Sequence, residues 1–184
     1  MQGDFAEHAR ALAASAATPV DVRHRARFDE VDGLVIPGGE STTIIKLLDR
    51  FDLREILTKR IESGMPVLAT CAGAIILAKQ VSDGEPPLGL LDIEVRRNAY
   101  GRQVDSFEAD VDVAALCPPE LRAVFIRAPT VERAGPGVEV LAHWADRPIF
   151  GIEGEILFTT FHPELTDDTR VHRYFVDRVR ARSH

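Results

Sequence analysis

Short apolar runs alternate with helical spacing through the first half of the chain. Residues 6–17 are alanine-rich and predict a helix that ends before Pro19, a residue that cannot continue one. Residues 20–22 predict a short strand. Gly33-Leu34-Val35-Ile36 predicts a buried strand, stopped by Pro37-Gly38-Gly39. Residues 42–63 carry helical spacing in two pieces, broken near 50–52. Met65-Pro66-Val67-Leu68-Ala69 then predicts a buried strand, Thr70-Cys71-Ala72-Gly73 a tight turn, and residues 74–79 a helix. Short strands alternating with helices point to an α/β fold with a mostly parallel central sheet and helices on both faces.

The second half has a different texture. Residues 82–87, Ser-Asp-Gly-Glu-Pro-Pro, form a loop. From 107 to 113 the apolar Phe107, Ala109, Val111 and Val113 alternate with Glu108, Asp110 and Asp112, the pattern of a half-exposed strand. Further strands are expected at 123–127, 138–143, 149–152 and 156–161, so antiparallel additions join the parallel part. Residues 169–182 predict a terminal helix, with Val171, Phe175 and Val179 four apart. No repeat or linker divides the 184 residues, and a single domain is expected.

Charge and cysteine content narrow the setting. The formal net charge is −7, which argues against general binding to nucleic acid or anionic membranes. The arginines between 170 and 182 run against that trend and read as a solvated face near a helix C-terminus. Cys71 and Cys117 do not make a disulfide framework, so a reducing, cytoplasmic setting is expected, with Cys117 as a partly buried structural residue. No apolar run approaches the ~18 residues of a membrane span.

The turn after the 65–69 strand places a thiol at a strand-to-helix corner, the cysteine counterpart of a nucleophile elbow. Unpaired N–H groups at the start of the helix point toward such a thiol and can also cradle an oxyanion. A thiol nucleophile needs a base. His162-Pro163-Glu164 directly follows the 156–161 strand. Proline favours extended geometry in the residue before it, and residues two apart in an extended segment share a side, so Glu164 can orient His162. In a parallel sheet both strand ends lie on the same carboxyl edge. Singly, each piece reads as core cysteine or turn histidine. The other histidines, at 8, 24, 143, 172 and 184, read as structural or surface, and no cluster has zinc spacing. Pro37-Gly38-Gly39-Glu40-Ser41-Thr42-Thr43 can bring backbone N–H groups to a ligand or simply cap a helix. It lacks the lysine of a phosphate-binding loop, so nucleotide binding is not supported.

Taken together, Pro-Gly-Gly-Glu-Ser-Thr-Thr (37–43), Thr-Cys-Ala-Gly (70–73), Arg-Asn-Ala-Tyr-Gly-Arg-Gln-Val-Asp-Ser-Phe-Glu (97–108), Phe-Ile-Arg-Ala-Pro (125–129) and Phe-His-Pro-Glu-Leu-Thr (161–166) closely resemble the glutaminase subunits of pyridoxal phosphate synthase. These are class I, triad-type glutamine amidotransferases with a three-layer, flavodoxin-like fold. The resemblance spans nearly the whole chain, and the 97–107 stretch is what separates this subfamily from other amidotransferases. It implies Cys71 as nucleophile, His162 as base and Glu164 as its orienting carboxylate. It implies an oxyanion hole from the N–H groups of Gly39 and Ala72, and L-glutamine contacts from Gly39, Glu40, Ser41, Arg97, Ile126 and Arg127. A buried arginine suits the substrate carboxylate because its planar fork binds both oxygens. Metals and cofactors are not implied. The partner implied is a barrel-shaped synthase subunit that receives ammonia, in a complex with twelve copies of each subunit.

Two departures carry expectations of their own. In the family, an apolar inner strand precedes the segment matching Gln2-Gly3, whereas here Met1 stands directly before it. A start codon assigned too far downstream is the favoured explanation, with a chain begun late and a rearranged sheet edge as alternatives. Without that strand the sheet is expected to show a gap, and docking near Gln2 is expected to suffer. Ala69 and Ala74 replace a glycine and a larger apolar residue usual at those positions. A stand-alone cysteine hydrolase or glyoxalase-like protein on the same fold, and an inactive regulatory or binding subunit, are the competing readings.

Overall fold

In a computed structural model, residues 4–97 and 106–182 are described. Helix α1 (Phe5–Ala14) buries His8 and Ala11 on one face. Strand β1 (Leu34–Ile36) leads into the Pro37-Gly38-Gly39 turn and α2 (Ser41–Arg50). The Glu40 carboxylate caps α2, accepting hydrogen bonds from the N–H groups of Thr42 and Thr43. Helix α3 (Arg54–Glu62) follows a break at 51–53, as the spacing predicted. Then come β2 (Val67–Thr70), α4 (Ala72–Leu77), β3 (Ala78–Val81), β4 (Leu91–Arg96), β5 (Ser106–Asp112) and β6 (Glu120–Ile126). The chain closes with β7 (Thr130–Ala134), β8 (Glu139–Trp144), β9 (Arg147–Glu153), β10 (Ile156–Thr159) and α5 (Arg170–Arg182).

Among the described residues the main sheet has five strands in the order β1-β2-β10-β9-β8. Strands β1, β2 and β10 are parallel, with Ile36 opposite Ala69 and Thr70 opposite Thr159. β9 and β8 add antiparallel to β10. This is the expected α/β fold with antiparallel additions. Side chains alternate across the sheet and build two cores. Val67, Ala69, Ile156 and Phe158 join the core on the side of α2, α3 and α4. Leu68 and Leu157 join the opposite core with Phe125 from β6 and Val171, Phe175 and Val176 from α5. A strand buried on both faces reads as a continuous apolar run, and β2 and β10 are such strands.

The structure corrects several expectations. Residues 20–22 form no strand, and Val20 is exposed. An isolated extended segment has no ladder to join. The helix after Cys71 ends at Leu77, because Leu88 and Leu90 donate to the carbonyls of Ile76 and Leu77 and the chain turns into β3, paired with β4. Strands β3, β4 and β7 were not foreseen. The arginines of α5 are not an idle solvated face. Arg170 donates to the carbonyls of Pro118 and Glu120, Arg178 to that of Gly154, Arg180 to that of Ala16 and Arg182 to that of Ser63. They clamp the helix to four separate loops. Cys117 is exposed rather than partly buried, and both cysteines are free.

Among the described residues β1 has a strand neighbour on one side only. Beside it runs a groove of about 720 Å³, lined by Leu12, Val22, Val35, Phe175 and Val179 among others. Gln2 lies outside the described residues.

Phe158 is fully buried at the centre of the larger core. Phe158→Ala is expected to lower unfolding stability by about 3–5 kcal/mol, read as a drop in the urea midpoint at unchanged slope.

Candidate active site

The parallel register of β1, β2 and β10 brings three loops to one edge. Cys71 follows β2 immediately, at φ +46° and ψ −101°, conformations that L-residues rarely adopt. Its N–H donates to the carbonyl of Thr159 on β10 (2.8 Å), and its carbonyl accepts from Ile75 in α4. Holding a non-glycine residue there costs on the order of 1–3 kcal/mol, and the paired strands supply the restraint. Helix α4 begins hard against β1. A side chain on Gly73 would meet the Ile36 carbonyl oxygen at 2.2 Å, so only glycine fits. Ala69 and Ala74 are both fully buried around this corner.

His162 stands just past β10, with its N–H bonded to the Val124 carbonyl of β6 (2.8 Å). Its Nδ1 lies 2.8 Å from Oε1 of Glu164, and both side chains are buried. Nε2 is buried without a hydrogen-bond partner. Burial opposes protonation of the ring. The Cys71 sulfur and the Glu164 carboxylate outweigh it and raise the pKa to about 10. For Glu164, burial favours the neutral acid, but His162 and His8 hold the carboxyl down at about 2. A cationic imidazole beside a thiol, backed by an ionised carboxylate, is an arrangement that activates cysteine. The Cys71 Sγ also approaches the Ile126 carbonyl at 4.0 Å. The β5–β6 ribbon presents that carbonyl, seated on the main sheet by Phe125, which stacks on Phe107 and meets Phe161 edge-on.

The Pro37-Gly38-Gly39 turn closes over the same point. A side chain on Gly38 would come within 2.4 Å of the His162 ring, so this close approach requires glycine. Gly39 follows at φ +140°. Ser41, the first residue of α2, is buried. Glu40 and Arg97 are brought together. Arg97 donates to Glu40 (3.2 Å) and to the Thr42 hydroxyl (3.3 Å). Burial acts on Glu40 to raise its pKa, yet hydrogen bonds from Thr43 and Thr42 lower it to about 2. Arg97 is half-buried and already paired with Glu40. Ile126 and Arg127 are exposed, and Arg127 has φ +44°. Ala72 opens α4, where the leading N–H groups lack intrahelical acceptors. Most of the 97–108 stretch lies outside the described residues.

Three residues beside this site were not singled out from sequence. His8, Thr70 and His172 are buried and hydrogen-bonded to one another behind Glu164. The two histidines read as structural or surface and Thr70 as the end of a buried strand, and only their placement in space shows the connection. Asp4 also approaches: Oδ2 lies 3.4 Å from Nδ1 of His162. One ligand atom each from Asp4, His162 and Glu164 lies within 4.8 Å of the others. A metal there would compete with Glu164 for Nδ1, which is already engaged.

The fold is that of class I glutamine amidotransferases. A solved glutamine amidotransferase superposes with a TM-score of 0.91 at 45% identity, covering 97% of this chain and 95% of that one. PurLQS from Thermotoga maritima shares the fold at a TM-score of 0.71 and 14% identity, covering 95% of this chain and 92% of that one. The chain belongs to the SNO glutamine amidotransferase family, whose model matches residues 1–181. A relative from Frankia casuarinae, named pyridoxal 5'-phosphate synthase subunit PdxT, is 56% identical over 184 residues, spanning 98% of this chain and 92% of the relative. The protein of the same name from Pelotomaculum thermopropionicum is 52% identical, over 98% of this chain and 93% of its own.

His172 supplies a test through pH. Burial, then the neighbouring His8, lower its pKa to about 4, with Glu164 opposing. Its folded value lies below its unfolded value of about 6.5, so its contribution is present above pH 6.5 and lost as pH falls toward 4. Urea unfolding is expected to show a loss of about 3 kcal/mol across that window. His172→Gln flattens it. The depressed Glu164 carboxyl acts separately, between about pH 4.5 and 2.

Proposed function

We propose that this chain is the glutaminase subunit of a pyridoxal 5'-phosphate synthase, hydrolysing L-glutamine to L-glutamate and ammonia. The observation that carries the reading is Cys71 on its strained corner beside the buried His162–Glu164 pair. The PdxT-named relatives above half identity along nearly the whole chain support it.

Cys71 Sγ attacks the side-chain amide carbon of glutamine, with the thiol proton resting on the cationic His162. The tetrahedral oxyanion receives the N–H groups of Gly39 and Ala72. By analogy, losing one such donor costs about 3–4 kcal/mol. His162 passes its proton to the leaving nitrogen, ammonia departs and a thioester remains on Cys71. Water then attacks the thioester, with His162 as base, and glutamate leaves. Glu164 keeps Nδ1 of His162 engaged, so that Nε2 is the nitrogen that exchanges protons with sulfur. Glu40, Ser41, Arg97, Ile126 and Arg127 make up the glutamine pocket. In the structure Arg97 lies on Glu40, so accepting the substrate carboxylate requires that pair to open. The partner is a synthase subunit that consumes the ammonia, in a complex of twelve copies of each, and the setting is cytoplasmic. Among the described residues no helix is long and apolar enough to cross a membrane.

Glutamate release is to be measured after mixing with a cognate synthase subunit. Wild-type protein is expected to release glutamate, Cys71→Ala to release none above background, and Glu164→Gln to lose roughly 10²–10⁴-fold in kcat. Glutaminase activity surviving in Cys71→Ala rules the proposal out. Hydrolysis of unrelated substrates without the synthase identifies a stand-alone hydrolase, and no release in any mixture identifies a binding subunit.

A further inference from the structure

His8 on α1, Thr70 at the end of β2 and His172 on α5 take no part in the reaction as described. Their relative exposures are 2%, 0% and 0%. Buried imidazoles are unfavourable unless their nitrogens find partners, and these find each other and the site. Nδ1 of His8 lies 2.9 Å from Nε2 of His172. Nε2 of His8 lies 3.2 Å from the Thr70 hydroxyl and 3.4 Å from Oε2 of Glu164. That oxygen has no hydrogen-bond partner, since Oε1 is the one engaged with His162. The Thr70 hydroxyl also accepts the N–H of Gly38 at 3.1 Å.

Hydrogen accounting gives this cluster a direction. Between Nδ1 of His8 and Nε2 of His172, one nitrogen donates and the other accepts. Nδ1 of His172 is buried without a partner. Were His8 the donor, neutral His172 would carry its hydrogen on that orphaned Nδ1. With His172 donating from Nε2, its Nδ1 keeps only a lone pair, and orphaned acceptors are less rare than orphaned N–H groups. His8 then accepts at Nδ1 and carries its hydrogen on Nε2, between Thr70 and Glu164. A bare lone pair there would face a carboxylate oxygen at 3.4 Å.

We infer that His8, oriented by His172, is a positioning residue that steadies the second oxygen of Glu164 and, through the Thr70 hydroxyl, the Gly38 N–H at the start of the oxyanion turn. One side chain on α1 thereby ties the base-orienting carboxylate to the loop over the nucleophile. This rests on Cys71, His162 and Glu164 being the reacting set. Cys71, Glu164 and Asp4 face His162, while His172, Thr70 and Glu164 face His8. Loss of His8 leaves Glu164 a poorer support for the imidazolium, so protonated His162 gives up its proton at lower pH.

The test is the pH dependence of glutamine hydrolysis by the complex with a cognate synthase subunit, comparing His8→Asn, His8→Gln and wild type. The asparagine amide reaches toward His172 but not Glu164, and the glutamine amide reaches Glu164. In His8→Asn, kcat is expected to fall about tenfold to a hundredfold, with KM within about twofold. The basic limb of its profile moves down by about one pH unit. His8→Gln recovers most of kcat and returns the limb toward wild type. An unchanged kcat and limb in His8→Asn, or a His8→Gln no better than His8→Asn, overturns the inference. Cys71→Ala runs in parallel: activity surviving there defeats the triad reading itself, whereas its loss beside wild-type-like His8 variants defeats only the role of His8.

Discussion

The parallel register of three short strands is the constraint on which the site depends. β1, β2 and β10 end level with one another, with Ile36, Ala69 and Phe158 in one row of partners and Thr70 against Thr159 one step further. Each strand releases its loop at the same edge. The glycine turn, the cysteine corner and the histidine–glutamate segment therefore meet although they are far apart in the chain. Antiparallel pairing of any one of them would send its loop to the opposite edge of the sheet. The backbone bond from Cys71 to Thr159 and that from His162 to Val124 then fix these two residues to neighbouring strands.

Behind the edge, stability and chemistry share the same hydrogen bonds. Glu164 is ionised although buried, which is tolerable only because its oxygens face imidazoles. His162 gains its proton against burial from the same carboxylate and from the sulfur. The Glu40 carboxylate likewise serves two ends, capping α2 and engaging Arg97. A helix cap that also holds Arg97 ties the first turn of α2 to the end of β4.

Some of this was legible in the sequence because local chemistry decides it. The continuous apolar runs of β2 and β10, the two-piece helix before Gly64 and the alternation along β5 each carry their own pattern. So does the cysteine between a strand and a helix, and so does the histidine two residues before a glutamate. What was not legible depends on neighbours. Residues 20–22 have strand composition but no ladder. Residues 78–79 continue a helical pattern yet open β3, because the 88–90 loop takes the carbonyls of α4. His8 and His172 are 164 residues apart, and His8 and Thr70 are 62 apart, so no window of sequence holds the network. Arg97 was expected as a substrate contact, and its pairing with Glu40, 57 residues away, is a tertiary contact.

The backbone angles of Cys71 have a consequence for how such a chain drifts over generations. At φ +46° the residue most at ease is glycine, which lacks any reacting atom. A change to glycine there would therefore relieve backbone strain and remove the thiol in one step. A silent descendant of this fold would be recognisable by a relaxed corner before any change in its core.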